Sequence, residues 1–343
     1  MLLRAATRSD RLSLHATINF ESLTLAHGEL TPGAWGEGFV DRRHPHTTVH
    51  ELMLVSRLGA LTLATGKGFV PFGTDDPMSR PLLRYPVNHH FSQVLERAVT
   101  IAGVSAGPVE LEGALFNGDE PERPGQWPRI AGRFGDSWAV RLTVRPGGVR
   151  GLEVQGSRAK VHSPEHRPGA GSDQFKWNAS LRWDRNGRYG LVEWARTSEL
   201  DGFFVFHSLL VEGAWTTRKH GYQVYSRFER TERPEEQRTL DLFRSVRPHL
   251  ENSILGISRW TIYSLGASAP VRSLPVGPFV ELSYGRIAKV GGGVFDPVSL
   301  YGGNSFWSAS LGVRVVQGMR GHRMGRYGVG TESRRPEEPH SHQ

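Results

Sequence analysis

Apolar and polar residues alternate one by one through several long stretches of this chain, and this period of two restricts its fold more than any other feature. The pattern recurs in segments 12–21, 138–145, 175–184 and 307–315. Successive side chains of a β-strand point to opposite faces, whereas a helix repeats every 3.6 residues. The alternation therefore predicts an all-β protein whose strands each have one apolar and one polar face.

The predicted strands number about fourteen, within about 12 to 16, because boundaries read from sequence are uncertain. Their connections alternate between long and short, as with 26–48 followed by Gly59, and 70–94 followed by Gly107-Pro108; a compact connection at 199–201 interrupts the series. The predicted strands are 11–25, 49–58, 60–69, 95–107, 109–117, 136–145, 150–162, 173–184, 188–198, 202–218, 221–232, 251–264, 276–290 and 305–318. Alternating connection lengths are typical of an up-and-down barrel with short turns at one end and long loops at the other.

Alternation alone does not tell which face is wet, so a soluble β-sandwich stays open as an alternative. Strands such as 202–218 exceed the usual length of strands in soluble sheets. Phe175 and Trp183 lie on one face, roughly 26 Å apart along the strand or about 20 Å in height once the strand is tilted. This is close to the separation of the two aromatic girdles that bound the apolar band of about 25 Å in membrane barrels. Phe203 and Trp215 repeat this arrangement. We therefore predict a transmembrane up-and-down antiparallel β-barrel of the bacterial outer membrane.

Composition excludes several other classes of protein. No segment approaches the roughly 20 apolar residues of a membrane helix. The chain has no cysteine, which excludes disulfide scaffolds and thiolate zinc sites. The formal net charge is +8, but lysine and arginine alternate with apolar residues instead of forming a basic block, so nucleic acid is not an expected partner.

Both ends of the sequence differ from those of a complete exported barrel. The first ten residues, MLLRAATRSD, lack the apolar core of a signal peptide, so we expect the natural start to lie upstream. Residues 1–327 are predicted to form a single barrel domain. A polar segment, 328–343, follows Tyr327 and is predicted to be a disordered tail.

Several segments carry a resemblance to known proteins. The stretch GKGFVPFGTDDP at 66–77 resembles a strand-end motif of the phosphate-selective porin family. The succession of segments 28–47, 84–98, 114–128 and 227–241 resembles a group of uncharacterised outer-membrane proteins from environmental bacteria. Both resemblances imply a barrel, and neither implies a particular substrate.

The polar faces of the predicted strands are rich in positive charge. If these faces line a lumen, a pore with such a lining concentrates anions. Lys160 is a further candidate for the lumen, and the positive charge there is partly offset by the carboxylates of Asp184, Glu153 and Glu229. The alternative is that these arginines and lysines form ion pairs across strands and set no ion selectivity. The predicted pore-lining residues are Arg141, Arg145, Lys176, Arg182, Arg227 and Arg314.

Two long connections, 70–94 and 118–135, are candidates for loops that fold into the lumen and narrow it. Proline and glycine at 118–128 favour an ordered loop, and a solvated outer loop is the alternative. The predicted constriction-loop residues are Asp75, Asp76, His89, His90, Asp119 and Glu120.

These features together predict a porin-like channel for passive diffusion of small hydrophilic, anionic solutes, with outer-membrane lipid as its surroundings. The alternative is a barrel whose long loops bind a metal ion or an oligosaccharide. The 15 histidines fit no recognised metal-ligand spacing, and a candidate serine such as Ser92 near His89 is an isolated coincidence, so neither a metal, a cofactor nor an enzymatic activity is expected. Monomer and trimer both stay open.

Overall fold

In the computed structural model the chain forms one antiparallel sheet of 15 strands, each hydrogen-bonded to its neighbours in sequence. The structure describes residues 2–19, 47–74, 80–82, 86–87, 94, 96–118, 125–128, 134–162, 173–217, 221–236, 254–270 and 276–315. The strands are β1 Leu2–Ala6, β2 Leu12–Ile18, β3 Val49–Leu58, β4 Leu61–Gly68, β5 Arg97–Ala106, β6 Val109–Phe116, β7 Ser137–Val144, β8 Leu152–His162, β9 Asp173–Arg185, β10 Arg188–Glu199, β11 Phe204–Thr216, β12 Gln223–Glu236, β13 Ile254–Ser268, β14 Val276–Gly293 and β15 Ser305–Val315.

The all-β prediction is confirmed, and each of the fourteen predicted segments corresponds to one strand. The additional strand is β1, which pairs with β2 from Leu2↔Thr17 to Ala6↔Ser13. The sequence pattern does not predict β1. A five-residue strand without apolar alternation gives no signal of period two.

On most strands the polar face points inward and the apolar face outward; β5 is an exception, with Val99 and Ile101 buried and Thr100 exposed between them. On β7, Arg141 and Thr143 are 3% and 0% exposed, whereas their neighbours Val140 and Leu142 are 44% and 45% exposed. A soluble β-protein has the opposite arrangement, with polar residues on its outer surface. An apolar exterior around a polar interior, in one sheet of sequential order, is the arrangement of an outer-membrane barrel. The outer membrane is therefore the location of this protein, and the sandwich alternative is wrong.

The connections define two ends of the barrel. Short turns follow β1, β3, β5, β7, β9, β11 and β13 at one end, here called the short-turn end. The other end, called the long-loop end, has the long connections and one exception, a 3-10 turn at Leu200–Gly202 followed by Phe203. Long loops of such barrels are extracellular, which orients the chain in the membrane. Among the described residues, no helix is long and apolar enough to span a membrane.

A short helix, α1 (Pro297–Tyr301), lies between β14 and β15. Asp296 caps its N-terminus by accepting hydrogen bonds from the Ser299 hydroxyl at 2.7 Å and the Ser299 amide at 2.8 Å, and these bonds, that of the hydroxyl above all, lower the pKa of the Asp296 carboxyl. The helix places Tyr301 against an apolar cluster formed by Trp260, Ile262 and Ile287. These three residues face inward, so part of the interior near the long-loop end is apolar.

Candidate functional site

The inner wall of the barrel carries Arg–Glu ion pairs between neighbouring strands. The register places Glu112 on β6 directly opposite Arg141 on β7. Arg141 donates to both carboxylate oxygens, from Nε at 2.5 Å and from Nη2 at 2.9 Å. Both side chains are buried, and this two-point geometry is the strongest form of a guanidinium–carboxylate contact.

Arg145 extends this cluster toward the short-turn end. Its Nη1 donates to Glu110 at 2.9 Å, and its Nε donates to Glu153 at 3.0 Å. One guanidinium thus bridges carboxylates from β6 and β8. Together with Glu112 and Arg141, three carboxylates and two guanidinium groups share this part of the wall.

A second cluster lies on the wall formed by β10 to β12. Arg227 donates to Glu212 at 2.6 Å and lies 3.8 Å from Glu229. Tyr189 on β10 donates its hydroxyl to Glu212 at 2.8 Å. Arg182 is 5.3 Å from the ring of Tyr189 and donates to Asp184 at 3.1 Å near the short-turn end.

The buried charges of the interior are close to balanced. Among the described residues, ten glutamates and eight lysine or arginine residues are buried. The sequence analysis included Glu153 and Glu229 but missed Glu110, Glu112 and Glu212. The alternation in β6 could have revealed two of them. In VELEGALF, Glu110 and Glu112 lie on the face opposite to Val109 and Leu111, which is the inward face. The observed pairs match the alternative of cross-strand pairing.

The remaining predicted lining residues occupy different positions. Lys176 is buried on the inner face of β9. Arg314 on β15 faces the interior and donates to a backbone carbonyl of the 69–96 connection. Lys160 lies in the outward phase of β8 and forms an ion pair with Asp173 at 2.9 Å, so it does not line the interior.

The connection 69–96, here called the inward loop, enters the barrel after β4. Phe69, Val70 and Phe72 are buried, and Val70 and Phe72 pack with Met53 and Phe116 on the inner wall. The Val70 amide donates to the Val94 carbonyl at 3.0 Å, so the two ends of the loop lie side by side. The loop therefore leaves the wall and returns to it at nearly the same place.

On one side the inward loop is bound to β7, β8 and β10. The Gly73 amide donates to Ser157 Oγ at 2.9 Å, and Arg141 Nη1 donates to the Gly73 carbonyl at 3.2 Å. Thr74 donates its hydroxyl to the Glu193 carboxylate on β10. Arg80 donates to Thr74 at 2.7 Å and lies 3.6 Å from Glu193, which places a loop guanidinium in the same cluster.

On the other side the loop is bound to β12 and β15. The Val87 amide donates to Glu229 at 2.7 Å, and Val87 packs against Trp260 and Ile287. Arg314 donates to the Pro81 carbonyl at 3.0 Å. Because its contacts run from β7 to β15, the described part of the loop crosses the interior of the barrel.

The six predicted constriction-loop residues, Asp75, Asp76, His89, His90, Asp119 and Glu120, lie outside the described residues. The described residues of the 70–94 connection contact the inner wall, and the constriction by the six named side chains stays a prediction. For the 118–135 connection, Gly118 donates its amide to Asp136 at 2.9 Å, which ties the two ends of that loop together. Within the described part of the chain, no group of three or more potential metal ligands is close enough to hold an ion.

The C-terminal root of the inward loop is fixed by Glu96. Its buried carboxylate accepts hydrogen bonds from His50 Nδ1 and from the Thr47 amide, the latter at 3.0 Å. Lys67 at the end of β4 donates to the Thr47 hydroxyl. The two ends of the inward loop thus meet in one polar cluster that also includes β3.

Gly66, in the motif that resembles the phosphate-selective porins, permits a close approach of β4 to β3. Its φ is +146°, and a Cβ there would lie 2.1 Å from the Leu52 carbonyl oxygen. We expect Gly66→Ala to destabilise the root of the loop by about 3 kcal/mol, the upper end for overpacking, and to lower the yield of folded barrel on a heat-modifiability gel. Gly113→Ala is the matched control, since a Cβ added to this residue of β6 would have nothing within 4 Å. Equal yields of both variants would contradict this account.

Comparison with solved structures gives outer-membrane barrels. A loop L8 deletion mutant of OmpT, an outer membrane protein of Vibrio cholerae, matches with a TM-score of 0.50 at 12% identity, over 91% of this chain and 87% of that one. OmpT itself matches at 0.49 and 10% identity, over 91% and 86%. An anion-selective porin from Comamonas acidovorans matches at 0.49 and 8% identity, over 90% and 86%.

At 12% identity, the likeness to the OmpT deletion mutant shows that the two chains share a fold, and it carries no information about activity. No protein-family model matches the sequence, and no curated protein matches it. The resemblance of this chain to outer-membrane barrels is thus one of fold.

Proposed function

We propose that this protein is an outer-membrane channel through which small hydrophilic solutes diffuse passively, narrowed by the inward loop. The observation that carries the proposal is the loop itself, which crosses the interior and is hydrogen-bonded to the wall at Ser157, Glu193 and Glu229. A wall lined by charged and hydroxyl side chains supports the passage of water and polar solutes, because such groups replace part of their hydration.

For solute charge we propose weak selectivity. The buried glutamates slightly outnumber the buried lysine and arginine residues, and Arg141, Arg145 and Arg227 each contact a carboxylate. An anion preference, favoured by the arginine-rich phase of the sequence, is the competing possibility. The G-x-S-x-G match at 103–107 spans the end of β5 and its short turn to β6, whereas a catalytic serine of this motif lies on a strand-to-helix turn, so a passive and non-enzymatic role is part of the proposal.

Planar-bilayer recording with the purified full chain tests this function. We expect discrete conductance steps, and a reversal potential near zero in a salt gradient. A reversal potential displaced far toward the equilibrium potential of the anion would contradict weak selectivity and show a preference for anions. A folded, heat-modifiable protein that never conducts would exclude the channel and favour a barrel whose loops bind a ligand.

A further inference from the structure

The outward face of the barrel carries arginines near the long-loop end. Residues paired across neighbouring strands form rows around this face. One row runs through Leu209, Arg230, Thr261, Arg286 and Ser305, from β11 to β15. The residues that flank the two arginines on their strands point inward and are buried, which fixes the outward direction of both arginines.

The next row toward the short-turn end is aromatic. It runs through Phe228, Tyr263, Tyr284 and Trp307, roughly 7 Å deeper along the strands. The rings of Phe228 and Tyr263 are 5.1 Å apart, and those of Tyr284 and Trp307 are 4.8 Å apart. Trp307 is 69% exposed on this outer surface.

A groove of about 570 Å³ opens on this surface directly below the two arginines. The small residues Gly213 and Ser226 lie in the row beyond the aromatic one and leave space between larger neighbours. The outward-facing lining of the groove consists of Val211, Gly213, Ser226, Phe228, Tyr263, Leu265, Leu282, Tyr284 and Trp307. The groove is therefore bounded by apolar and aromatic side chains, with guanidinium groups at one end only.

The height of the arginines matches the edge of the membrane. Tyr222 is exposed at the short-turn end of β12, eight positions before Arg230. That spacing is roughly 26 Å along the strand, or about 20 Å in height once the strand is tilted, which covers most of the apolar band of about 25 Å. Arg230 and Arg286 thus lie where the acyl chains of the outer leaflet end and the headgroups begin.

On the outward face of β11 to β15, positive charge is confined to that border. Below the arginine row, every outward-facing residue of these five strands is uncharged, as in the row Trp215, Val224, Ala267, Val280 and Leu311. Arg259, one row nearer the long-loop end, is paired with Glu232 at 2.6 Å. Arg230 and Arg286 form no ion pair with any residue in the described part of the chain. A guanidinium at the border of hydrocarbon requires a counter-ion, because an uncompensated charge there is costly.

We propose that this surface binds a phosphorylated glycolipid of the outer leaflet, lipid A. Arg230 and Arg286 bind its phosphate groups, and one acyl chain lies in the groove between Phe228 and Trp307. The two Cα atoms are about 10 Å apart, two strand spacings, so each arginine has its own phosphate oxygens within reach. A guanidinium group binds phosphate by two parallel hydrogen bonds. On this surface the positive charge lies at the headgroup level and the apolar groove lies at the acyl-chain level, which matches the layout of an anionic lipid of the outer leaflet.

Native mass spectrometry of the full chain in detergent, titrated with diphosphoryl lipid A, tests the site. We expect the double variant R230A/R286A to bind lipid A about 30-fold more weakly than the parent, from about 1 kcal/mol for each arginine near a membrane surface. Arg188→Ala is the matched control, since Arg188 is an exposed arginine at the short-turn end beside Trp215. This control is expected to bind within twofold of the parent, and neutral phosphatidylcholine is expected not to distinguish the three proteins.

A lysine variant and a folding check separate loss of lipid binding from loss of folding. The variant R230K/R286K preserves charge but not the two-point contact, so an intermediate loss is expected even if the alanine variant folds poorly. Heat-modifiable migration verifies that each variant is folded. Unchanged lipid binding by R230A/R286A, or an equal loss by R188A, would overturn the proposal. So would a lipid-free oligomer that dissociates only in R230A/R286A, since this face would then bind a second copy of the chain.

Discussion

Removing the part of the inward loop that crosses the interior is expected to raise single-channel conductance severalfold. The Val70 amide and the Val94 carbonyl are hydrogen-bonded at 3.0 Å, so residues 72–92 can be replaced by a short Gly-Ser-Gly linker without moving the wall. The deletion removes the contacts at Ser157, Glu193 and Glu229 that hold polypeptide across the lumen. Single-channel recordings of the shortened and parent proteins at equal salt measure the effect.

A deletion of the same kind elsewhere provides the control. Shortening the connection between β12 and β13 leaves all described contacts of the inward loop in place. We expect its conductance to stay within about a factor of two of the parent value. If both deletions raise conductance equally, or if neither does, then the inward loop is not the constriction. Heat-modifiable migration of both variants distinguishes a wider channel from a misfolded one.

The second large effect is expected from the pair formed by Arg141 and Glu112. Glu112→Gln leaves a positive charge on the wall, and Arg141→Gln leaves a negative one. In a narrow lumen with weak dielectric screening, a single uncompensated charge changes the local ion concentrations several-fold. We therefore expect E112Q to shift the reversal potential toward anion selectivity and R141Q to shift it toward cation selectivity.

The double variant E112Q/R141Q provides the matched control for this pair. It restores neutrality, so its reversal potential is expected to return to the parent value. Breaking a buried pair costs about 3–5 kcal/mol when one partner remains, so both single variants should also unfold at lower temperature than the double variant. R141Q should in addition show more open-channel noise, because Arg141 donates to the Gly73 carbonyl of the inward loop. Shifts of the reversal potential in the same direction for E112Q and R141Q would contradict this expectation.

The fold was largely readable from the sequence because strand alternation is a local property. Trp177 and Asn178 point to opposite faces whatever strand lies beside them, so the direction of each side chain followed from position alone. The short strand β1 was not predicted, because five residues without alternation resemble any exposed segment. The alternation of short turns, such as those at Gly59 and Gly107, with long connections then predicted the up-and-down order of the strands.

The charge balance of the lumen was not readable in the same way. Whether Arg141 meets Glu112 depends on the register between β6 and β7, which are joined by the long connection 117–136. No local rule fixes register across a loop of that length. The contacts of the inward loop with Glu193 and Glu229 join positions that are 119 and 142 apart in sequence, so they too follow only from the three-dimensional fold.

The hydrogen bond from Arg314 to the Pro81 carbonyl sets an order of events during folding. Its partners are 233 positions apart, and Arg314 lies on the last strand of the described part of the chain. Contacts so distant in sequence form late, because the loss of chain entropy must be offset by the strands between them first. The inward loop therefore reaches its final position only after β15 has joined the sheet. A nascent barrel passes through a stage in which the loop is open to proteases, and its protection marks the completion of assembly.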